Sequence, residues 1–167
     1  MRLIGLDPSL VQTGWGIIDV QGRNLSFVAS GAIRTRTRDT LAERLGLIDA
    51  ELGKVLASHA PDEAALEQVF GNRNPRSTLA LGQARGAVIV AVARGRLPVH
   101  EYAATTVKQA VTGHGHASKE QVAALVRMQL PRSKAETHDA SDALAVAICH
   151  ANHALMRART ARAGGKS

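Results

Sequence analysis

Aromatic side chains are scarce in this chain, with one Trp, one Tyr and two Phe among 167 residues. The core must therefore be built from aliphatic side chains and alanine, and an aromatic beside polar residues stands out. Cysteine is nearly absent too. A single Cys149 excludes an internal disulfide and fits a reducing compartment. Its setting, Ala-Val-Ala-Ile-Cys, reads as a small buried apolar position. No apolar run approaches the roughly 20 residues that span a bilayer. The N-terminus opens directly on a strand pattern, without a charged region and apolar stretch ending in a cleavage site. A cytoplasmic protein with no membrane partner is expected. No Cys/His set has zinc-ligand spacing, and no internal repeat or second domain is visible.

What is present is basic and apolar. At 45% hydrophobic, the chain suits one compact domain. Lys+Arg 21 against Asp+Glu 14, a formal net charge of +7, points to a polyanionic partner such as nucleic acid. Residues 2–7, about 13–20 and about 24–34 read as three strands separated by turns too short for helices, hence an antiparallel meander. Leu41, Leu45, Ile48, Leu52 and Val55 then recur at helical spacing over 40–59, with Thr40 and Glu43 as a capping box. Residues 63–67 form a short buried strand and 71–76 a polar loop. A helix rich in Ala and Gly covers 77–94. A strand at 98–102, a helix near 105–111, a second capping box (Ser118, Gln121) with a helix to about Leu130, and a helix from about Thr137 to Ala154 complete the pattern. Strands followed by alternating strands and helices predict an α/β fold: a mixed five-stranded sheet flanked by helices. Residues 1–154 form the expected domain and 155–167 a basic, disordered tail.

Four acids stand out. Asp7 and Glu67 each close an apolar strand, and Asp139 and Asp142 open the last helix on one face at i, i+3. Ionised carboxylates at such positions resist burial unless paired or metal-bound. Converging at ~4 Å, they would repel by roughly 4 kcal/mol per pair at an effective dielectric near 20, so they require a counter-cation. An all-oxygen donor set suits Mg²⁺. In a basic protein, a cation between acids and phosphate reconciles the opposed charges, as in metal-assisted phosphodiester hydrolysis.

The segments LIGLDPSLVQTGWGIID, LEQVF with GNRN, LALGQARG, HEYAATTVKQAVTGHGHASKEQV and HDASDALAVAICH resemble the RuvC family of Holliday-junction resolvases, in order, from Met1 to about His153. A lone apolar-Gly-apolar-Asp segment is weak evidence, but the combination is highly specific. The resemblance implies an RNase H-like fold, a homodimer, and paired Mg²⁺-dependent nicks in four-way DNA junctions during recombination and repair. Two ions per active site are implied, with Mn²⁺ able to substitute, and a branch-migration motor as partner. The family's catalytic and metal-binding acids carry over onto Asp7, Glu67, Asp139 and Asp142, with Asp7 shared by both ions. Phe70 matches its base-contacting aromatic, Lys108 and Lys119 its basic residues facing the scissile strand, and Arg73, Asn74 and Arg76 lie in its DNA-facing loop. Two departures concern Ser9, where the family usually has Gly, and Arg73, where Lys is common. The first turn then cannot use glycine's free φ, and a planar fork replaces a compact ammonium.

Plainer readings stand beside these. Asp7 alone could cap a turn before Pro8, and Asp139 could complement the helix dipole for ~0.3–1 kcal/mol; the other motifs favour the site. Trp15 and Tyr102 read as packing. His138 is equally a catalytic aid or a solvated helix-start residue. His150 and His153, at i, i+3, could share a metal, but surface placement is the expectation. His114 and His116 sit in a Gly-rich loop near Lys119. An actin-like ATPase or sugar kinase would need a second lobe. A non-catalytic DNA-binding module would not keep four acids facing phosphate. A related nuclease for RNA or other branched DNA is the nearest alternative.

Overall fold

The computed structural model describes residues 1–68, 74–133 and 137–164, the last stretch without the side chains of 158, 159 and 161–164. Three strands, β1 (Arg2–Asp7), β2 (Gln12–Gln21) and β3 (Asn24–Arg34), form the expected antiparallel meander. Helix α1 (Leu41–His59) leads to β4 (Glu63–Glu67), α2 (Pro75–Arg94) to β5 (Val99–Tyr102), and α3 (Ala104–Thr112), α4 (Lys119–Gln129) and α5 (His138–Gly164) follow. The sheet order is β3-β2-β1-β4-β5, with β4 parallel to both β1 and β5. The mixed sheet arises because hairpin turns can join only antiparallel strands, whereas β4 and β5 are each reached through a helix.

Alternation along the strands divides the core in two. Leu3, Ile18 and Ala65 face α3, α4 and α5 on one side. Ile4, Leu6, Ile17, Ala64 and Leu66 face α1 and α2 on the other. Each fully buried Leu or Ile contributes roughly 1.5–3 kcal/mol, and this aliphatic set replaces the missing aromatics. Both capping boxes form as expected, Thr40 with Glu43 and Ser118 with Gln121.

Helix α5 crosses the sheet at unusually short range. A Cβ at Gly5 would lie 2.0 Å from the Ala143 carbonyl oxygen, and one at Gly14 would lie 2.1 Å from that of Asp139. Only glycine permits this approach, which brings the start of α5 down onto the end of β1.

Several expectations need correction. Helix α2 begins at Pro75, because Asn74 caps it by accepting from the Arg76 and Ser77 amides, and proline suits the first turn; Pro75 and Arg76 thus belong to the helix, not to a loop. Helix α5 continues to Gly164 instead of fading near Ala154. The Ala/Arg-rich sequence there has high helix propensity and extends a helix already nucleated in the core. His150 is not a surface residue: it is 0% exposed, and His153 stacks on Tyr102. Cys149 is buried as expected, and burial pushes its thiol up to about 12. Ser9 has no positive φ, and its hydroxyl accepts from the Val11 amide while its carbonyl accepts from Thr13. The turn therefore does without glycine. Among the described residues, no helix is long and apolar enough to cross a membrane.

Candidate active site

Asp7 and Glu67 are the last residues of β1 and β4, which pair in parallel with Leu6 opposite Leu66. Their carboxylates therefore emerge side by side at the C-terminal ends of two central strands. The glycine-permitted approach of α5 adds its first turns from above. Asp7, Glu67 and Asp142 line one cleft of about 250 Å³, together with Lys108 from α3 and Lys119 from α4. Val107, Val122 and Ala145 form its apolar wall. Three chain segments far apart in sequence thus meet at one place.

The electrostatics record this crowding. Asp7 is pushed up to about 7, first by burial and then by the charges of Asp142, Glu67 and Asp139, with Lys119 opposing. Glu67 is raised by burial and by Asp142, against Lys119 and Lys108. Lys119 in turn is raised, chiefly by Asp142, whose carboxylate accepts from its ammonium at 3.2 Å. Three carboxylates against two lysines, with Asp139 close enough to raise Asp7 further, leave the cleft short of positive charge. An oxygen-only donor set with excess negative charge fits a hard divalent cation, and Asp7, Glu67, Asp139 and Asp142 are the residues that would hold it.

Asp139 differs from the other three. Its carboxylate accepts from the Gln12 side-chain amide, and Arg34 Nε donates to the other end of that amide at 2.9 Å. Because the guanidinium can only donate, it fixes which way the amide points. Gln12 and Arg34 are cross-strand partners in β2 and β3, a relation invisible without the register, and neither was anticipated as a site residue. Arg85 was also missed, although it lies within LGQARG. It donates to the Glu67 backbone carbonyl at 2.6 Å and pairs with Glu101 at 2.7 Å, clamping the end of β4 from α2.

The residues expected to meet DNA divide into groups. Lys108 and Lys119 lie in the cleft. Arg76 is exposed on the first turn of α2, and the side-chain oxygen of Asn74 is committed to capping that helix. Phe70 and Arg73 fall outside the described residues. His138 is exposed at the start of α5.

The family model for crossover junction endodeoxyribonuclease RuvC matches residues 3–150. The chain belongs to the RuvC family. A RuvC protein of Paramagnetospirillum magneticum is 54% identical over 163 residues, 98% of this chain and 98% of the relative. One of Rhodospirillum rubrum is 50% identical over 167 residues, 99% of each. Among solved structures, Thermus thermophilus RuvC in complex with a Holliday junction superposes with a TM-score of 0.88 at 36% identity, covering 93% of this chain and 96% of that one. The yeast mitochondrial Holliday junction resolvase, at 12% identity and TM-score 0.66, shares the fold. The architecture is that of the RNase H-like resolvases.

Proposed function

We propose that this protein is a structure-selective endonuclease that resolves four-way DNA junctions by paired symmetric nicks, serving homologous recombination and repair. The observation that carries the reading is the cleft at the ends of β1 and β4, where half-buried carboxylates outnumber the lysines beside them. A protein that only bound DNA would gain nothing from such a site, because it repels phosphate. Belonging to the RuvC family supports the choice of a DNA junction over other phosphodiesters.

Asp7, Glu67, Asp139 and Asp142 would hold Mg²⁺, two ions per site, with Mn²⁺ able to substitute. When bound, the ions supply an activated water for in-line attack and stabilise the leaving 3′ oxygen, giving 5′ phosphate and 3′ hydroxyl ends. The chain's own residues do the rest. Lys108 and Lys119 hold the phosphate and offset charge developing on its oxygens. With the acids neutralised by bound cations, Lys119, which pairs with Asp142 at 3.2 Å, would be free to turn to phosphate. The Arg34–Gln12 pair keeps Asp139 aimed, and Arg85 fixes the chain on which Glu67 sits. Phe70, Arg73, Asn74 and Arg76 would contact the junction near its branch point.

Two symmetric nicks call for two active sites related by a dyad. The outward face of α2 suits a contact with a second copy: Leu79, 64% exposed, and Val90, 47% exposed, flank Gly82 and Gly86, where an added Cβ would meet nothing. Ala84 by contrast is fully buried against α1 and the sheet. Val90→Glu is therefore the substitution that should dissociate the dimer while leaving the fold intact. A branch-migration motor as partner rests on family likeness alone.

The deciding assay compares a mobile four-way junction with linear duplex, each with Mg²⁺ and with chelator. Paired nicks in the junction only, abolished by chelator, are expected. Equal cutting of duplex would overturn the junction assignment.

A further inference from the structure

At the opposite end of β4 from Glu67 lies a second group of metal-ligating side chains that the nuclease reading does not use. Glu63 opens β4, His100 lies on β5 and His150 on α5, and their ligand atoms all lie within 4.8 Å of one another. One carboxylate oxygen, Glu63 Oε2, receives His150 Nε2 at 2.8 Å and His100 Nε2 at 3.1 Å. The two imidazoles stack with centroids 4.4 Å apart. His150 is wholly buried, and burial lowers its affinity for a proton, so a ring nitrogen is available as a ligand. On its far side His150 Nδ1 meets the Tyr102 hydroxyl at 2.7 Å.

From these residues we propose that Glu63, His100 and His150 form a binding site for one zinc-like divalent transition-metal ion, separate from the carboxylate cleft.

The chemistry of the donors supports this class of ion. Two imidazoles and one carboxylate suit zinc, with a fourth position left to water, and not magnesium, which demands oxygen. A tetrahedral ion with bonds of about 2.0–2.1 Å spaces its ligands by roughly 3.3 Å. The two His–Glu separations need to widen only by a few tenths of an ångström to admit it. Binding replaces the Nε2 protons, so His150 must carry its proton on Nδ1 and donate it to Tyr102. A hydrogen-bonded partner behind a ligating histidine is the arrangement that fixes its tautomer and raises its basicity. The remaining cation, Arg157, stands 4.0 Å from Glu63 Oε2 with a half-exposed side chain that can turn to solvent. The three ligands come from β4, β5 and α5, so the ion would tie the start of the sheet's parallel half to the long helix. The strand separates this site from Glu67 by about 13 Å, four residues at ~3.3 Å each.

The test titrates the full-length protein with Zn²⁺ against a chromogenic chelator, in excess Mg²⁺ so that the carboxylate cleft is saturated. Parent, Asp7→Asn and His100→Gln are compared, the last keeping volume and hydrogen-bonding capacity without the ligand. One equivalent bound by parent and Asp7→Asn alike, weakened by about tenfold or more in His100→Gln, is expected, together with a zinc-dependent rise in Tm that His100→Gln lacks. In the parent protein itself, imidazole ¹⁵N resonances of His100 and His150 should shift at Nε2 on adding zinc, a readout independent of whether the variant folds. Absence of a bound equivalent, equal affinity in a folded His100→Gln, or unshifted Nε2 resonances would overturn the proposal and leave a hydrogen-bonded packing cluster. None of these outcomes bears on the nuclease reading, which rests on the other end of the strand.

Discussion

Glu63 and Glu67 begin and end the same five-residue strand, and the two-residue period of a strand points both toward the α5 side of the sheet. Their surroundings are opposite. Around Glu67 stand other acids and two lysines on separate helices, so burial and like charge raise its pKa. Around Glu63 stand His100, His150 and Arg157, and the same oxygen meets two ring nitrogens. One end is short of positive charge, and the other is furnished with nitrogen donors. Residue type is identical, so partners alone decide that the first end, with oxygen donors, suits hard cations and phosphate while the second pairs its carboxylate with nitrogen donors inside the fold. The reactive end should respond to substitution in activity, and the satisfied end in stability.

The largest effect is expected at Asp7. Asp7→Asn removes one charge from the crowded cleft and should lower junction cleavage by at least 10²–10³-fold, on the scale of losing one electrostatic element of an active site. Binding of the junction should persist or tighten, because less negative charge then faces phosphate. Nicking and gel-shift assays on one preparation measure both, and cleavage near the parent rate would remove Asp7 from the site.

The same residue sets a pH dependence of stability in metal-free protein. Its carboxyl rises from 3.8 to about 7 on folding, so between those values the folded chain keeps a proton that the unfolded chain has released. Stability should therefore be greatest below pH 4 as far as Asp7 is concerned, and fall as pH rises toward and through 7. At 1.36 kcal/mol for each pH unit of difference, the loss is on the order of 4 kcal/mol. Chemical denaturation at a series of pH values should show this fall in the parent, a much flatter profile in Asp7→Asn, and recovery at neutral pH when Mg²⁺ is added. A parent profile matched by Asp7→Asn would mean that the strain lies elsewhere.

A smaller loss of activity is expected one step back from the cleft. Gln12→Leu keeps the volume but releases Asp139 from the Arg34–Gln12 pair. Partners that orient a metal ligand are typically worth 10–100-fold in metal affinity or activity. The substitution should raise the Mg²⁺ concentration needed for half-maximal cleavage and leave junction binding unchanged. Loss of binding with an unchanged Mg²⁺ requirement would instead make Gln12 a DNA contact.

How far these two ends could be read from sequence differs for a physical reason. The acids announce themselves locally, since an Asp or Glu closing an apolar strand has no packing explanation, and strands, capping boxes and helix faces follow from short-range periodicity. Their shared need for a counter-cation joins the acids into one site, and the resemblance assigns that site its chemistry. Gln12, Arg34 and Arg85 carry no such local mark, because their role comes from strand register and from a helix crossing. The histidines misled more strongly. His150 lies on a helix whose later turns are basic and polar, which suggested a surface position; whether it is buried depends on Glu63 and Tyr102, partners 87 and 48 residues away. Similarly, the cap that starts α2 at Asn74 was legible in its Asn-Pro sequence, but the polar run around it suggested a loop.

The smallest effect belongs to the satisfied end and tests the contrast from its other side. Tyr102→Phe deletes only the hydroxyl that meets His150 Nδ1 at 2.7 Å and preserves the ring stacked on His153. The nitrogen left behind is buried beyond the reach of solvent, with Nε2 already engaged by Glu63. An orphaned buried polar atom costs about 1–3 kcal/mol. Unfolding by urea should therefore report a loss near the lower part of that range, because the imidazole can still keep its Glu63 contact. Junction cleavage, measured at a temperature where both proteins are fully folded, should remain at the parent rate. A drop in cleavage without a drop in stability would show that the two ends of β4 communicate, and the division between a reactive and a structural glutamate would have to be abandoned.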